Sequence, residues 1–245
     1  MNKFYYDLHI HSCLSPCADD ESTPNDILGM STLNELDIIA LTDHNTAKNC
    51  PALFGASKNY DVIPIAGMEL TTSEDIHVVC LFEKLDDALD FSDEIEKHRM
   101  LIENRSDIFG RQLIMDENDN VIGEEKYLLS NATDISFEDV SKIVKQFNGI
   151  CYPAHIDREA NGVISILGTF PKTPYFSAYE IRNKEKSQEY AEKYDLSDKI
   201  VIFDSDAHYL TDINERSNFI ELDCSKSDAD LVRKQLFKYL RGEDS

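Results

Sequence analysis

Short runs of apolar and β-branched residues recur along the chain, separated by longer stretches in which apolar positions return every three or four residues. The short runs at 5–11, 37–43, 61–70, 76–82, 149–156, 176–181 and 199–206 predict seven strands. The longer stretches at 25–36, 87–104, 137–147, 184–194 and 227–240 predict helices, the first of them opened by Thr23-Pro24, where proline suits the first turn. Alternation of this kind is the pattern of βα units around a parallel sheet. One segment interrupts it. Between about 109 and 131, two short apolar runs flank Asp116-Glu117-Asn118-Asp119-Asn120, which predicts a hairpin. It is too short for a core of its own, so 83–148 reads as a cap inserted into a single domain spanning 1–245. The sequence holds no Gly/Ser linker, low-complexity tract or internal repeat.

Composition narrows the class. With 245 residues, 42% of them apolar, the chain can fill one large core. Its 24 basic and 47 acidic residues leave a formal charge of −23, which repels polyanions. Duplex nucleic acid and membranes are therefore not expected as partners, and a small phosphorylated substrate is. No run approaches the roughly 18 apolar residues of a membrane span, and the opening MNKFYYDLHIHS lacks a signal peptide's apolar stretch, so a cytoplasmic protein is expected. The cysteines at 13, 17, 50, 80, 151 and 224 are irregularly spaced, as suits reduced thiols.

The chemistry gathers at predicted strand ends. In the first strand Asp7, His9 and His11 are two apart, so strict alternation places them on one face and Tyr6, Leu8 and Ile10 on the other. The second strand ends at Asp43-His44, the third carries Glu69, the fourth opens with His77, the fifth brings His155, and the last ends with Asp206 and His208. In a parallel barrel the C-terminal strand ends share one mouth, where barrel enzymes place their active sites. Six of the seven histidines belong to this set; His98, among Glu96, Lys97 and Arg99, reads as a solvated helix residue. Burying so many ionisable groups without a cation would be costly. Imidazole and carboxylate donors without thiolate suit Zn, Mn or Fe, and a set this large exceeds one ion's coordination number, so two or three ions must share it, with Glu69 a natural bridge.

The ordered set DLHIHS, LTDH, GMEL, His77, PAHID and DSDAH, spanning residues 5 to 208, resembles the PHP (polymerase and histidinol phosphatase) family. That resemblance implies a distorted seven-stranded (β/α) TIM-like barrel with a di- or trinuclear metal centre and phosphoester hydrolysis. Position by position, it implies metal ligation by His9, His11, His44, Glu69, His77, His155, Asp206 and His208. It also implies an acidic ligand a few residues after the first motif; in SCLSPCADDESTP this is Asp19, with Asp20 the alternative.

Around this set, Arg158 and Arg182 are candidates to engage substrate phosphate through the guanidinium fork, each with a surface salt bridge as its alternative. Asp43 is expected to orient a ligand imidazole, and Cys13 and Cys17 to serve as small packing residues. Glu69, Asp206 and Arg158 are the expected catalytic groups of a metal-dependent phosphoesterase in which an activated hydroxide attacks phosphorus in line. The substrate class is a small phosphomonoester, a nucleotide or a short oligonucleotide end. An amidohydrolase-type C–N hydrolase and a catalytically silent metal-binding domain are the alternatives.

Overall fold

A computed structural model describes residues 1–173 and 175–243. All seven predicted strands form: β1 (Asn2–Ile10), β2 (Ile38–Leu41), β3 (Ile63–Thr71), β4 (His77–Phe82), then β7 (Ile150–Pro153), β8 (Ala178–Glu180) and β9 (Ile200–Ile202). The expected hairpin supplies β5 (Leu113–Met115) and β6 (Val121–Glu124), and a further strand, β10 (Phe219–Leu222), follows near the C-terminus. Among the described residues there are eight α-helices: α1 (Pro24–Leu33), α2 (Cys50–Ala56), α3 (Leu85–Glu96), α4 (Ser106–Phe109), α5 (Phe137–Gln146), α6 (Val163–Leu167), α7 (Ser187–Tyr194) and α8 (Ala229–Leu240). Thr23 caps α1 by accepting the Asp26 N–H, with Pro24 in the first turn. None of the described helices is long and apolar enough to cross a membrane.

The sheet is mixed rather than parallel. Six strands run in the order β10-β1-β2-β3-β4-β7; β1, β2 and β3 are parallel, but β4 is antiparallel to both β3 and β7, and β10 is antiparallel to β1. The reason lies in the connection: Thr72–Ile76 is far too short for a crossover, which needs a dozen or more residues, so β3 and β4 close as a hairpin with Thr71 paired to His77. His77 opens its strand, yet the reversal brings it to the same end as Glu69.

The parallel pair β8-β9 stands as a separate sheet. It meets the larger sheet through few backbone links. Ile156 donates to the Glu180 carbonyl on one side; on the other, His11 donates to the Ala207 carbonyl at 2.9 Å and Ala207 to that of His9 at 3.3 Å. The molecule is thus an α/β half-barrel of curled mixed sheet, not the seven-stranded ladder the resemblance implies.

Two apolar layers hold it. Inside the curl, Tyr6, Leu8, Ala40, Ile65, Leu81 and Tyr152 pack with Leu236, Phe237 and Leu240 of α8. Each fully buried large apolar side chain contributes about 1.5–3 kcal/mol. Outside, the helices cover the sheet through Ile39, Met68, Phe82, Phe91 and Val144. Within 83–148, α3 and α5 belong to this helical layer through Phe91, Ile95, Val140 and Val144. The β5–β6 hairpin instead lies over the loop after β1, where Leu113 and Met115 pack on Cys13 and Ala52. α3 stops short of the predicted 87–104 because Arg99 pairs with Thr133 across an antiparallel bridge and its guanidinium donates to the Tyr127 carbonyl.

Candidate metal centre

Backbone irregularities aim the side chains of the mouth. The register of β1 against β2 shifts between Asp7 and Ile10, and the cores record the result: Tyr6 and Leu8 face the interior, while Ile10 joins the outer layer. Strict alternation is therefore broken, and the bulge turns His9 and His11 into the mouth. Asp7 does not share their role; it accepts the Ser205 and Asn214 N–H groups at 3.1 and 3.0 Å and holds the connection after β9 against β1. His155 (φ 29°) and Asp206 (φ 51°) lie in the left-handed region, which costs a non-glycine residue about 1–2 kcal/mol and here redirects each side chain where its strand ends. Gly162 closes the loop after His155, since a Cβ there would come within 2.3 Å of the Arg158 carbonyl oxygen.

The side chains converge on Glu69. Its carboxylate lies within 2.7–3.4 Å of nitrogens on His9, His11, His44, His77 and His155. Three overlapping groups have donor atoms close enough to hold an ion each: His9, His11, Glu69 and Asp206; His44, Glu69 and His77; and His11, His44 and His208. Eight of the nine expected ligands are brought together in this way, His155 through its 3.1 Å contact with Glu69.

Divalent ions fit this donor set. Nε2 of His9 and Nε2 of His11 face each other at 3.2 Å, close to the ~3.3 Å edge of a tetrahedron with ~2.0–2.1 Å metal–nitrogen bonds. Glu69 Oε2 lies 3.0 Å from His44 Nδ1 and 3.4 Å from His11 Nε2, yet it is buried without a hydrogen bond; Asp206 Oδ1 and His44 Nδ1 are buried and unpaired too. Lone-pair atoms gathered at these distances without hydrogen-bond geometry are arranged for a shared cation.

Electrostatics agree. Burial alone would raise the Glu69 carboxyl, but His77 and His9 outweigh it and hold Glu69 well below the usual carboxylate range. Asp206, likewise opposed by burial, is held down by His9 and His11. Conversely, burial disfavours charge on His9, but Glu180, Glu69 and Asp206 raise that imidazole well above its ordinary value. His44 is raised against burial by Cys17 and Glu69. Without ions, protons on these rings would balance the carboxylates. His77 differs: burial pulls it down to about 4, so it is ready to ligate at neutral pH.

Supporting groups orient the ligands. Glu180, which no pattern in the sequence singles out, accepts from His9 Nδ1 at 2.7 Å and from the His155 N–H at 3.2 Å, leaving His9 Nε2 facing the cluster. Asp43 accepts from Ser12 and from the Ser15 hydroxyl, which contacts His11 Nδ1 at 2.9 Å. It orients His11 through serine rather than its sequence neighbour His44.

Two expectations for the loop after β1 do not match the structure. Asp19 is not brought to the cluster: its carboxylate accepts the Glu21 N–H at 2.8 Å, and its own N–H is tied to the His208 carbonyl. Asp20 turns out to Arg111. Cys17, expected to pack, instead places Sγ 3.2 Å from His44 Nε2. Burial opposes ionisation there, but His44 and His208 bring the Cys17 thiol down to about 5, whereas burial pushes Cys13 up to about 12.

Above the cluster opens a cavity of about 450 Å³, lined by Arg158, Arg182, Ser130, Asn161 and Tyr209 as well as the ligands. Arg158 and Arg182 both donate to Asp206 Oδ2, at 2.7 and 3.3 Å, and remain 43% and 46% exposed. His98 lies elsewhere, paired with Asp134 on the surface.

Fold and site together define an α/β domain whose mouth is lined by clustered histidines and carboxylates able to hold metal. The PHP domain family profile matches residues 7–209, and the chain belongs to that family. No curated protein matches it. Among solved structures, endonuclease Q from Pyrococcus furiosus superposes with a TM-score of 0.71 at 15% identity over 100% of this chain and 57% of its own. Endonuclease Q bound to a 27-mer duplex with an abasic lesion at its active site gives 0.67 at 13% identity, over 100% of this chain and 58% of that one. A candidate metal-dependent phosphoesterase from Bifidobacterium adolescentis gives 0.55 at 16% identity, covering 95% and 96%. This chain therefore spans little more than half the length of endonuclease Q.

The exclusion of duplex nucleic acid does not stand. A protein of this fold holds a duplex at its active site, and a net charge of −23 does not describe the mouth, which Arg158 and Arg182 line half exposed. Screening confines a surface charge's influence to about 8–10 Å, so local groups decide what approaches.

Proposed function

We propose that the protein is a metal-dependent hydrolase of phosphate esters, acting on a nucleotide or on the phosphate of a nucleic-acid strand. The observation that carries this reading is the pair of half-exposed guanidinium groups converging on Asp206 directly beside the histidine and carboxylate cluster. Arginine pairs of this kind match the oxygens of a phosphate, and Asp206 pre-orients both before substrate arrives. His9, His11, His44, Glu69, His77, His155, Asp206 and His208 would hold two or three Zn, Mn or Fe ions. When bound, these would supply Lewis-acid polarisation of a phosphoryl oxygen and activation of water.

The chain's own residues do the rest. Glu69 fixes the spacing of five imidazoles, Glu180 fixes the tautomer of His9, and the arginines meet charge on the transferring group. Tyr209, 54% exposed at the rim, offers a ring face to a base beside the phosphate. The family membership, the duplex-bound endonuclease Q fold and the Bifidobacterium protein all support this reading.

The test is phosphate release or strand cleavage by protein loaded separately with Zn, Mn or Fe. The panel would include nucleoside monophosphates, 3′,5′-bisphosphates, short single strands and a duplex with an abasic site. Turnover of at least one phosphate ester is expected with one or more of the metals. Turnover confined to amide or amidine substrates would replace this reading with a C–N hydrolase.

A further inference from the structure

We propose that Cys17 is a metal ligand: its thiolate, with His44 and His208, forms a sulfur-containing third position of the cluster, in the role for which an acidic residue was expected. The inference rests on the metal-centre reading above and specifies one of its ligands. Three imidazoles meet at this corner, and Cys17 lies against one of them. The rings of His11 and His208 stack with centroids 4.2 Å apart, those of His11 and His44 lie at 4.5 Å, and the three offer nitrogens within 4.8 Å of one another. The Cys17 sulfur lies 3.2 Å from His44 Nε2, on the side of that ring away from Glu69, whose carboxylate faces Nδ1 at 3.0 Å. Metal–sulfur bonds of ~2.3 Å and metal–nitrogen bonds of ~2.0–2.1 Å give a tetrahedral S···N edge of about 3.5 Å, a few tenths of an ångström from the distance seen.

The loop explains why the sulfur, not a carboxylate, arrives here. Ala18 donates to the Ser15 carbonyl and Asp19 to the His208 carbonyl, so the turn is pinned against His208 and the solvent-accessible Cys17 turns its sulfur along the cavity edge to His44, while the Asp19 carboxylate is engaged by the Glu21 N–H. The other cysteines with described contacts behave differently. Cys13, Cys50 and Cys80 direct their thiols at backbone carbonyls within the core, whereas Cys17 meets an imidazole nitrogen at the edge of the cavity. A thiolate at one corner divides the preferences of the cluster: that position favours softer ions such as Zn or Co, while the positions built on Glu69 and Asp206 remain open to Mn or Fe.

The experiment is titration of metal-stripped, full-length protein with Co²⁺, followed by visible and near-ultraviolet absorption and by elemental analysis. Wild type and Cys13→Ser should both develop a thiolate-to-cobalt charge-transfer band. Cys17→Ser should lose the band and one ion of the stoichiometry, yet still show the visible bands of cobalt bound by histidine and carboxylate. Cys17→Asp should regain the stoichiometry without the band, and Asp19→Asn should behave as wild type. Cobalt uptake by wild type without the band, or a band that survives in Cys17→Ser, would overturn the proposal and leave the metal centre standing. Loss of an ion in Asp19→Asn but not in Cys17→Ser would overturn it equally. No cobalt uptake by any variant would instead remove the metal-centre reading on which it rests.

Discussion

At the floor of the mouth, His9, Glu69 and His77 sit on hydrogen-bonded strands, and their side chains are no more than 10% exposed. At the rim, Arg158, Arg182 and Tyr209 stand on the connections that follow strands, and both arginines are about half exposed. The two regions divide the work. The floor is rigid, dry and over-determined by carboxylates, so it can hold ions in fixed positions. The rim is solvated and open to what approaches, so it can select what meets those ions. Changes to the floor should therefore remove metal and activity together, and changes to the rim should separate them.

The largest effect is expected from Glu69→Gln, because one carboxylate touches five imidazoles. Hydrolysis should fall by more than the roughly 10–100-fold typical of losing a supporting partner, with at least one ion lost on elemental analysis. Retained metal with retained turnover would mean that the cluster is not organised by Glu69. Next is Glu180→Gln, which keeps the shape but weakens the acceptor for His9 Nδ1. Metal affinity measured by competition with a chelator should drop about 10–100-fold. An unchanged affinity would reduce Glu180 to a packing role.

The rim effects should be smaller. Arg158→Ala should leave metal content unchanged and cost about tenfold in kcat/KM, the scale of one charge-assisted hydrogen bond, with little recovery in Arg158→Lys. Arg182→Ala, whose contact with Asp206 is longer, should cost less. A KM effect would show that the arginines hold phosphate equally in ground and transition states, and a kcat effect that they meet charge developing during transfer. Metal loss in either variant would erase the distinction between floor and rim.

The same distinction governs what is legible in the sequence. The expected ligands are legible because apolar runs mark where strands end, and eight such residues, three on strands and five just beyond them, meet in the structure. The direction of β4 is legible as well, since only five residues join it to β3, but the regular strand–helix alternation elsewhere masks that hairpin. Strict alternation misplaces Asp7 because a bulge leaves no mark in a string of residues. Glu180 reads as an ordinary alternating position until the curl of the sheet brings it to His9, 171 residues away. That Cys17 and not Asp19 reaches His44 is hidden because a loop has no period, and the course of this one depends on a tie to the His208 carbonyl. The strand β10 shows a plain alternation, Ile220 and Leu222 buried between exposed neighbours, but four residues at a sheet edge are a weak signal.

The backbone clasp between Ala207 and the first strand also fixes when the centre can come into being. On a ribosome, the interval of 198 residues between Asp7 and Ser205 takes about 10–40 s to synthesise at ~5–20 residues per second. Closing a loop of that length costs about 5 kcal/mol of chain entropy. Until the clasp forms, the group of His9, His11 and Glu69 lacks Asp206 and that of His11 and His44 lacks His208, whereas His44, Glu69 and His77 all precede it in the chain. Completion of two of the three groups therefore waits for the segment after β9 to dock, while the group of His44, Glu69 and His77 does not depend on it.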